Sequence, residues 1–227
     1  MNAATDFYLT LRQSASHSEK ISGSKFLAVA YPVADKVESL VHLDALRKTY
    51  FDATHVCFAY RVIGAEHEDQ LSLGLGNAPA TGVIEKFSDD GEPSGTAGKP
   101  VLNAIKSRGL CNVLVAVVRY FGGTKLGIGG LVRAYGDAAA MAIDKAGTTE
   151  VFLTTQIELR FDARLTGAVM YALKKFSTRI VSQGFELQGS GHDRQTLSLC
   201  VRLGEQDRLR TALNEATNAQ VSITPEP

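Results

Sequence analysis

The stretch that most limits what this chain can fold into is Val113–Arg119, which reads Val-Leu-Val-Ala-Val-Val-Arg. A nearly continuous β-branched run of this kind predicts a strand buried at the centre of a sheet. No apolar run in the chain is longer than its Val113–Val118 stretch, which is far short of the ~20 residues needed to cross a membrane.

The segments around that strand carry their own punctuation. Phe7–Arg12 and Lys25–Tyr31 read as strands, with Ser22–Ser24 in their connection and Pro32 ending the second. Asp35 followed by Glu38 resembles a capping box, and Val37, Leu40, Val41 and Leu46 give the following helix an apolar face. His55–Val62 alternates as a strand does. Gly64–Pro79 is polar and dotted with glycine, as in a loop, and Val83–Phe87 is a short strand. Pro100 suits the first turn of a helix that ends before Gly109. Gly129–Ala146 is a second helix, with Leu131, Val132, Tyr135, Ala139 and Ile143 inward and Gly147 closing it.

The polar Thr148–Glu150 marks a domain boundary, giving expected domains of residues 1–147 and 148–227. Beyond it come a strand at Gln156–Phe161, a helix carrying Leu165, Val169, Ala172, Leu173 and Phe176, and strands at Arg179–Gln188 and Thr196–Leu203 around a loop at Gly189–Arg194. A helix with Leu209, Ala212, Leu213 and Ala216 and a last strand at Gln220–Thr224 complete a β-α-β-β-α-β order, the ferredoxin-like arrangement. The fold class expected is therefore α+β, in two domains.

Composition narrows the function classes. The 227 residues are 44% hydrophobic, enough for a core, and the 24 basic and 24 acidic side chains cancel. A nucleic-acid site on such a chain has to be a local patch. Met1–Thr10 has neither the basic nor the apolar part of a signal peptide, so a cytoplasmic protein with no membrane partner is expected. Cys57, Cys111 and Cys200 are far apart, each in an apolar, strand-like run, which reads as buried reduced thiols.

Two segments flank the central strand. The first, Ser88–Pro100, holds Asp89, Asp90, Glu92, Ser94, Gly95, Thr96 and Lys99 between a strand and a helix. Glycines and a following helix N-terminus suit an anion, the carboxylates suit Mg²⁺, and a plain strand-to-helix turn capped by Asp and Ser fits equally. A Walker A loop is excluded, since that pattern needs glycine where Pro93 stands and Ser or Thr where Pro100 stands. The second segment, Arg119–Arg133, has Arg119, Lys125 and Arg133, no acid, and the glycines Gly122, Gly123, Gly127, Gly129 and Gly130. Val132 spoils the dinucleotide fingerprint begun by Gly127 and Gly129. What remains is an anion-friendly loop with uncompensated cations, beside Tyr120 or Phe121 as a stacking surface for a base. Glycines serving only close packing, with the aromatics in the core, is the other reading.

No catalytic residue, metal set or cofactor can be assigned. His55 and Cys57 share a strand face, but about two further ligands would be needed for a metal. His17, His42, His67 and His192 stand alone in polar surroundings.

Ser88–Pro100 and Val118–Tyr135 resemble the two signature stretches of the IMPACT family, specifically its bacterial YigZ-like members. Ser24–Ala28 and the Ala53–Arg61 segment (Ala-Thr-His-x-Cys-x-Ala-Tyr-Arg) match the same pattern. The resemblance implies a first domain like domain 2 of ribosomal protein S5 and a ferredoxin-like second domain. The same pair of folds resembles the last two domains of elongation factor G, an analogy at fold level alone. Eukaryotic members restrain a stress-responsive initiation-factor kinase through an additional N-terminal domain, a mechanism not transferred to this chain. For the bacterial members the usual suggestion is nucleic-acid or ribosome binding.

The function expected is non-enzymatic binding of RNA or the translation machinery, in a role in translation regulation, with Arg119, Lys125 and Arg133 on phosphates. The alternatives are an Mg²⁺-dependent enzyme for a phosphate-containing small molecule, using Asp89, Asp90 and Glu92, and a protein–protein adaptor. The ferredoxin-like sheet lacks an aromatic RNA-binding signature, and Phe161 and Phe185 are expected in its core.

Overall fold

A computed structural model describes residues 6–64, 82–186 and 193–225. Most of the expected Gly64–Pro79 loop, part of the Gly189–Arg194 loop, His67 and His192 lie outside the described residues. The protein is α+β. Its chain divides into two compact units: Leu9–Glu150, and the residues up to Tyr8 together with those from Val151 onward.

The larger unit is built on a five-stranded antiparallel sheet. Its strands are β2 (Ala15–Ile21), β3 (Ser24–Pro32), β4 (His55–Gly64), β5 (Gly82–Ser88) and β6 (Val113–Tyr120), in the order β2-β3-β6-β4-β5. β6 lies in the middle, paired with β3 on one side and β4 on the other. Its alternating side chains feed two cores. Val113, Val115 and Val117 pack under α2 (Gly98–Lys106) and α3 (Gly127–Ala146), while Leu114 and Ala116 pack towards α1 (Lys36–Thr49). Being covered on both faces is what a β-branched run without polar breaks requires.

Asp35 caps α1 by accepting from the Glu38 N–H at 2.8 Å, and the Glu38 carboxylate accepts from the Ala34 N–H at 2.6 Å. The helix is rotated from the expected orientation. Val37, Leu40 and Val41 are exposed, and Ser39, Leu43 and Leu46 face the sheet. Two apolar stripes were available on this helix, and packing against β4 selected the one ending in Leu46. Along α3, Leu131, Tyr135, Ala139 and Ile143 are buried as expected, but Val132 is largely exposed.

β2 was not expected. Ala15–Ile21 alternates half-buried and exposed residues at the edge of the sheet, and its polar composition reads as a connection. β7 (Thr148–Phe152), which pairs with β1 (Phe7–Leu11), is equally polar at its start and lies where a boundary was expected.

The second unit runs β8 (Thr154–Asp162), α4 (Thr166–Leu173), β9 (Thr178–Glu186), β10 (Arg194–Arg202), α5 (Gln206–Thr217) and β11 (Ser222–Pro225). The antiparallel sheet order is β11-β8-β10-β9. Ile157, Leu159 and Phe161 of β8, with Leu197, Leu199 and Val201 of β10, pack against Val169 and Leu173 of α4 and Leu209 and Leu213 of α5. Phe185 departs from expectation: it is 60% exposed, because β9 is an edge strand that the helices do not cover. Among the described residues, no helix is long and apolar enough to cross a membrane.

Candidate functional site

Arg119 is the last residue but one of β6, and strand parity decides where its side chain goes. Residues 113, 115, 117 and 119 share one face, so Arg119 points into the core under α3 and is only 4% exposed. A buried guanidinium needs a partner, since an isolated charge in an apolar interior is strongly unfavourable. The partner is Glu92, whose Oε1 accepts from Arg119 Nη1. The same oxygen accepts from the Tyr135 hydroxyl of α3 at 2.8 Å. Arg119 Nη2 donates to Ser24 Oγ at 3.3 Å, and its guanidinium lies 5.3 Å from the Phe26 ring centre and 5.4 Å from that of Phe121. Nε is buried without a partner. Arg119 is therefore a compensated charge, not the open cation expected from the glycine loop around it.

The acidic segment is placed with equal definition. Asp89 accepts from the N–H groups of Gly95, Ala97 and Gly98 at 2.8–3.0 Å. It thus serves the uncapped start of α2, where orphan N–H groups attract a carboxylate. Burial works to raise its pKa, but the three backbone bonds outweigh burial and hold it below the usual carboxylate value. Asp90, with a left-handed φ of 44°, accepts from the Val56 N–H at 2.7 Å. Its carbonyl accepts from His55 Nδ1 at 2.7 Å. A carbonyl can only accept, so Nδ1 carries a proton and the neutral imidazole has its acceptor at Nε2. Nε2 lies 3.8 Å from Glu92 Oε1.

Asp89, Asp90 and Glu92 are thus committed to three different tasks and do not converge. Among the described residues no group of three or more His, Cys, Asp or Glu side chains is arranged to hold a metal ion. The alternative in which Asp89, Asp90 and Glu92 hold Mg²⁺ gains no support from this geometry: both oxygens of Asp89 are turned onto backbone N–H groups. Thr96 is buried and donates to the Pro93 carbonyl at 2.6 Å, and Ser94 and Lys99 are exposed.

Above the ion pair opens a cavity of about 490 Å³, within the size range of small-ligand sites. Its polar lining comes from His55, Glu92 and Arg119, and Phe121, Ile128 and Leu131 contribute apolar walls. Lys125 and Gly127 also line it. Both flanking segments therefore meet in one concavity, through Glu92 on one side and Arg119, Lys125 and Gly127 on the other. Asp89, Asp90, Gly122, Gly123, Gly129, Gly130 and Arg133 lie outside its lining.

The cavity is also where α3 begins. Leu126 occupies the cap position with no side-chain bond to the helix, and the first turn holds no acid. The orphan N–H groups and positive dipole end are thereby left unsatisfied by side chains beside Lys125. Among the described residues neither Lys125 nor Arg133 forms an ion pair, and Arg133 reaches back over Gly129. Phe121 is 46% exposed at the same lip, whereas Tyr120 is held by Asp52, to which its hydroxyl donates at 2.9 Å.

The glycines divide by role. A Cβ on Gly122 would lie 1.9 Å from the carbonyl carbon of Gly23, so this glycine permits contact between the loop and the β2–β3 turn. The Gly122 N–H donates to Ser24 Oγ at 3.1 Å, the same oxygen that receives Arg119. Gly123 and Gly127 have positive φ (86° and 69°) with open space around them.

His55 lines the cavity because the Asp90 carbonyl fixes its ring. Cys57 is the buried thiol expected, and burial pushes its pKa up to about 12. Cys200 is half-buried, and Cys111 lies just before β6, not within a strand.

An α+β unit with a ligand-sized cavity, floored by an Arg–Glu ion pair and lipped by a glycine loop, is what sequence and structure define together. The chain belongs to the IMPACT family: residues 22–143 match the Impact N-terminal domain, and this span includes every residue of the cavity. It is 36% identical to the IMPACT family member YvyE of Bacillus subtilis over 63% of this chain, a match that spans 58% of that protein's length. It is 31% identical to the IMPACT family member YigZ of Escherichia coli, over 74% of this chain and 76% of the relative. A crystal structure described as that of a hypothetical protein shares the fold, with a TM-score of 0.66 over 99% of both chains at 24% identity.

Proposed function

We propose that this protein is a non-enzymatic binder of RNA or of an RNA surface in the translation machinery, holding one nucleotide at the cavity mouth. The observation that carries this reading is the coincidence, at one lip, of the exposed Phe121, the exposed Lys125 and the side-chain-uncapped N-terminus of α3. A phosphate rests on the helix N-terminus and Lys125, with Arg133 one turn along. A base stacks on Phe121, which every base can do. Arg119 leaves the list of phosphate contacts and becomes the residue that positions Phe121 and, through Glu92, the cavity floor. Regulation of translation and a cytoplasmic location are part of this proposal.

The finer fold assignments belong to the same reading. The order β11-β8-β10-β9 over a βαββαβ chain supports a ferredoxin-like second domain. The first domain is assigned to the family of domain 2 of ribosomal protein S5, the fold that the IMPACT resemblance implies.

Co-sedimentation with ribosomes and with total RNA over a salt series tests the proposal. Salt-sensitive binding that Lys125→Ala/Arg133→Ala removes is the expected result. Absence of binding at low salt overturns it. One observation favours a second reading: Lys125, the uncapped start of α3 and the apolar walls border a space of a size suited to a small phosphorylated ligand. Saturable binding of a mononucleotide without RNA or ribosome binding would select that reading. A stable complex surviving nuclease treatment would select a protein partner instead.

A further inference from the structure

β9 forms one edge of the second unit's sheet, and among the described residues nothing pairs with its outer side. All of it beyond Thr178 is exposed. It holds no proline and no lysine, its charges are Arg179 and Glu186 near its ends, and Ile180, Val181 and Phe185 are exposed apolar residues along it. An edge with these features is a template for another strand.

The register along β10 adds a symmetry that the sequence conceals. Ser182 pairs with Ser198 and Ile180 with Leu199, so Val181 is bulged out of the ladder. Seven positions apart on a regular strand, Arg179 and Glu186 would point to opposite faces. With Val181 bulged, they share the face of their partners Cys200 and Arg194, while Ile180, Gln183 and Phe185 share the face of Leu199, Leu197 and Gln195. The paired residues then run symmetrically about Gln183: a charge, an apolar side chain and a small residue on one side, and a small residue, an apolar side chain and the opposite charge on the other.

We propose that β9 pairs antiparallel with β9 of a second copy of this chain, about a two-fold axis through Gln183 normal to the sheet. In that register Arg179 faces the second copy's Glu186 at both ends, Ile180 faces its Phe185, Ser182 faces its Gly184, and Gln183 faces itself. A two-fold interface presents the same patch from both copies. Side chains meet only if opposed residues lie on the same face, a condition that the bulge satisfies. Self-complementarity of charge is what selects a second copy over an unrelated strand, for which equal spacing of opposite charges from a centre has no use. Within its own sheet the Arg179 guanidinium lies 3.8 Å from the Cys200 sulfur and forms no ion pair among the described residues, so its charge is available to the second copy. Glu186 faces Arg194 across the ladder and feels Arg160, and one carboxylate can serve several guanidinium groups. The pairing does not rest on the nucleotide site proposed above.

Sedimentation equilibrium of the full chain, over a roughly hundredfold range of concentration, tests it by mass action. The wild type is expected to dimerise. Arg179→Glu alone, or Glu186→Arg alone, places like charges opposite each other at both ends and weakens the dimer by about tenfold or more. Combining Arg179→Glu with Glu186→Arg restores the opposite-charge pairs and the dimer. Gln183→Cys is expected to cross-link two copies on oxidation, because that residue meets its own counterpart. Circular dichroism confirms that each variant is folded. A wild type that stays monomeric, or a double reversal that fails to restore a dimer lost in the single ones, overturns the proposal; the bulge and end charges would then guard the edge instead.

Discussion

Between Ser88 and Pro100 each carboxylate is turned onto donors of the protein itself, whereas between Phe121 and Arg133 the cations turn out to solvent. The two segments look alike in sequence, each rich in glycine and charge between a strand and a helix. Their difference lies at the helix start that each one leads into. α2 receives Asp89 on its first N–H groups. α3 receives no side chain at all. One helix terminus is completed by the protein and the other is left for something else. Arg119 is the exception within the basic segment, since its parity with Val113, Val115 and Val117 on β6 sends it inward to Glu92. Internal charge therefore builds the cavity, and external charge is offered at its mouth.

Breaking the internal pair should have the largest effect. Arg119→Ala leaves Glu92 buried with its charge uncompensated, and loss of one partner from such a pair destabilises by about 3–5 kcal/mol. Urea unfolding of the single and double replacements (Arg119→Met, Glu92→Gln, and both) checks this. The double variant should lose less than the sum of the singles. Strict additivity would mean that the two groups do not depend on each other.

Gly122→Ala comes next, at about 2–3 kcal/mol, because backbone on the β2–β3 turn has to move before a Cβ can fit. Gly123→Ala meets no atom but adopts a φ of 86°, so a smaller loss of about 1 kcal/mol is expected from backbone strain alone. Equal effects at the two sites would remove the distinction between a glycine required for contact and one required for conformation.

Much of this arrangement was legible in the residues, and the gaps have identifiable causes. β6, α2 and α3 announce themselves through a β-branched run, a first-turn proline and a closing glycine. β2 hides because an edge strand with one solvated face can be made of Ser, His, Glu and Lys. The face of α1 is ambiguous because its apolar residues form two overlapping stripes, and only the neighbouring sheet decides between them. Arg119 was readable in principle: counting by twos from Val113 places it on the buried face with Val115 and Val117, and a buried arginine calls for an acid. Which of Asp89, Asp90 and Glu92 supplies that acid depends on the turn geometry of Asp90 and Gly91, with φ of 44° and 87°, and no pattern in the sequence encodes it. The bulge at Val181 is hidden for the same reason, since a single extra residue leaves no mark in a strand-like run.

Asp89→Ala should cost about 2 kcal/mol, towards the upper end for a lost helix cap, since three N–H groups lose their acceptor. The pH dependence has a definite sign. Asp89 binds its proton more weakly in the folded than in the unfolded chain. Its contribution is therefore complete above the ordinary carboxylate pKa, and it is lost as pH falls through that value towards the depressed one. Stability measured on acidification should fall less steeply for Asp89→Asn than for the wild type. An unchanged slope would show that the three backbone bonds are not held by the ionised form.

The external charges should behave in the opposite manner. Lys125→Ala/Arg133→Ala removes exposed cations with no ion-pair partner among the described residues, and surface changes of this kind stay within about 0.5 kcal/mol of wild-type stability. Their effect belongs to binding: if both reach phosphates of a single strand, the slope of log affinity against log salt should flatten by about 0.7 per contact removed. Phe121→Ala should weaken binding by about 1–3 kcal/mol at any salt concentration, because stacking involves no counterion. A flattened slope from the cations with an unchanged slope from the aromatic would separate phosphate from base at the cavity mouth. If the cation pair instead destabilised the fold as Arg119→Ala does, the outer segment would be as structural as the inner one, and the contrast between them would fail.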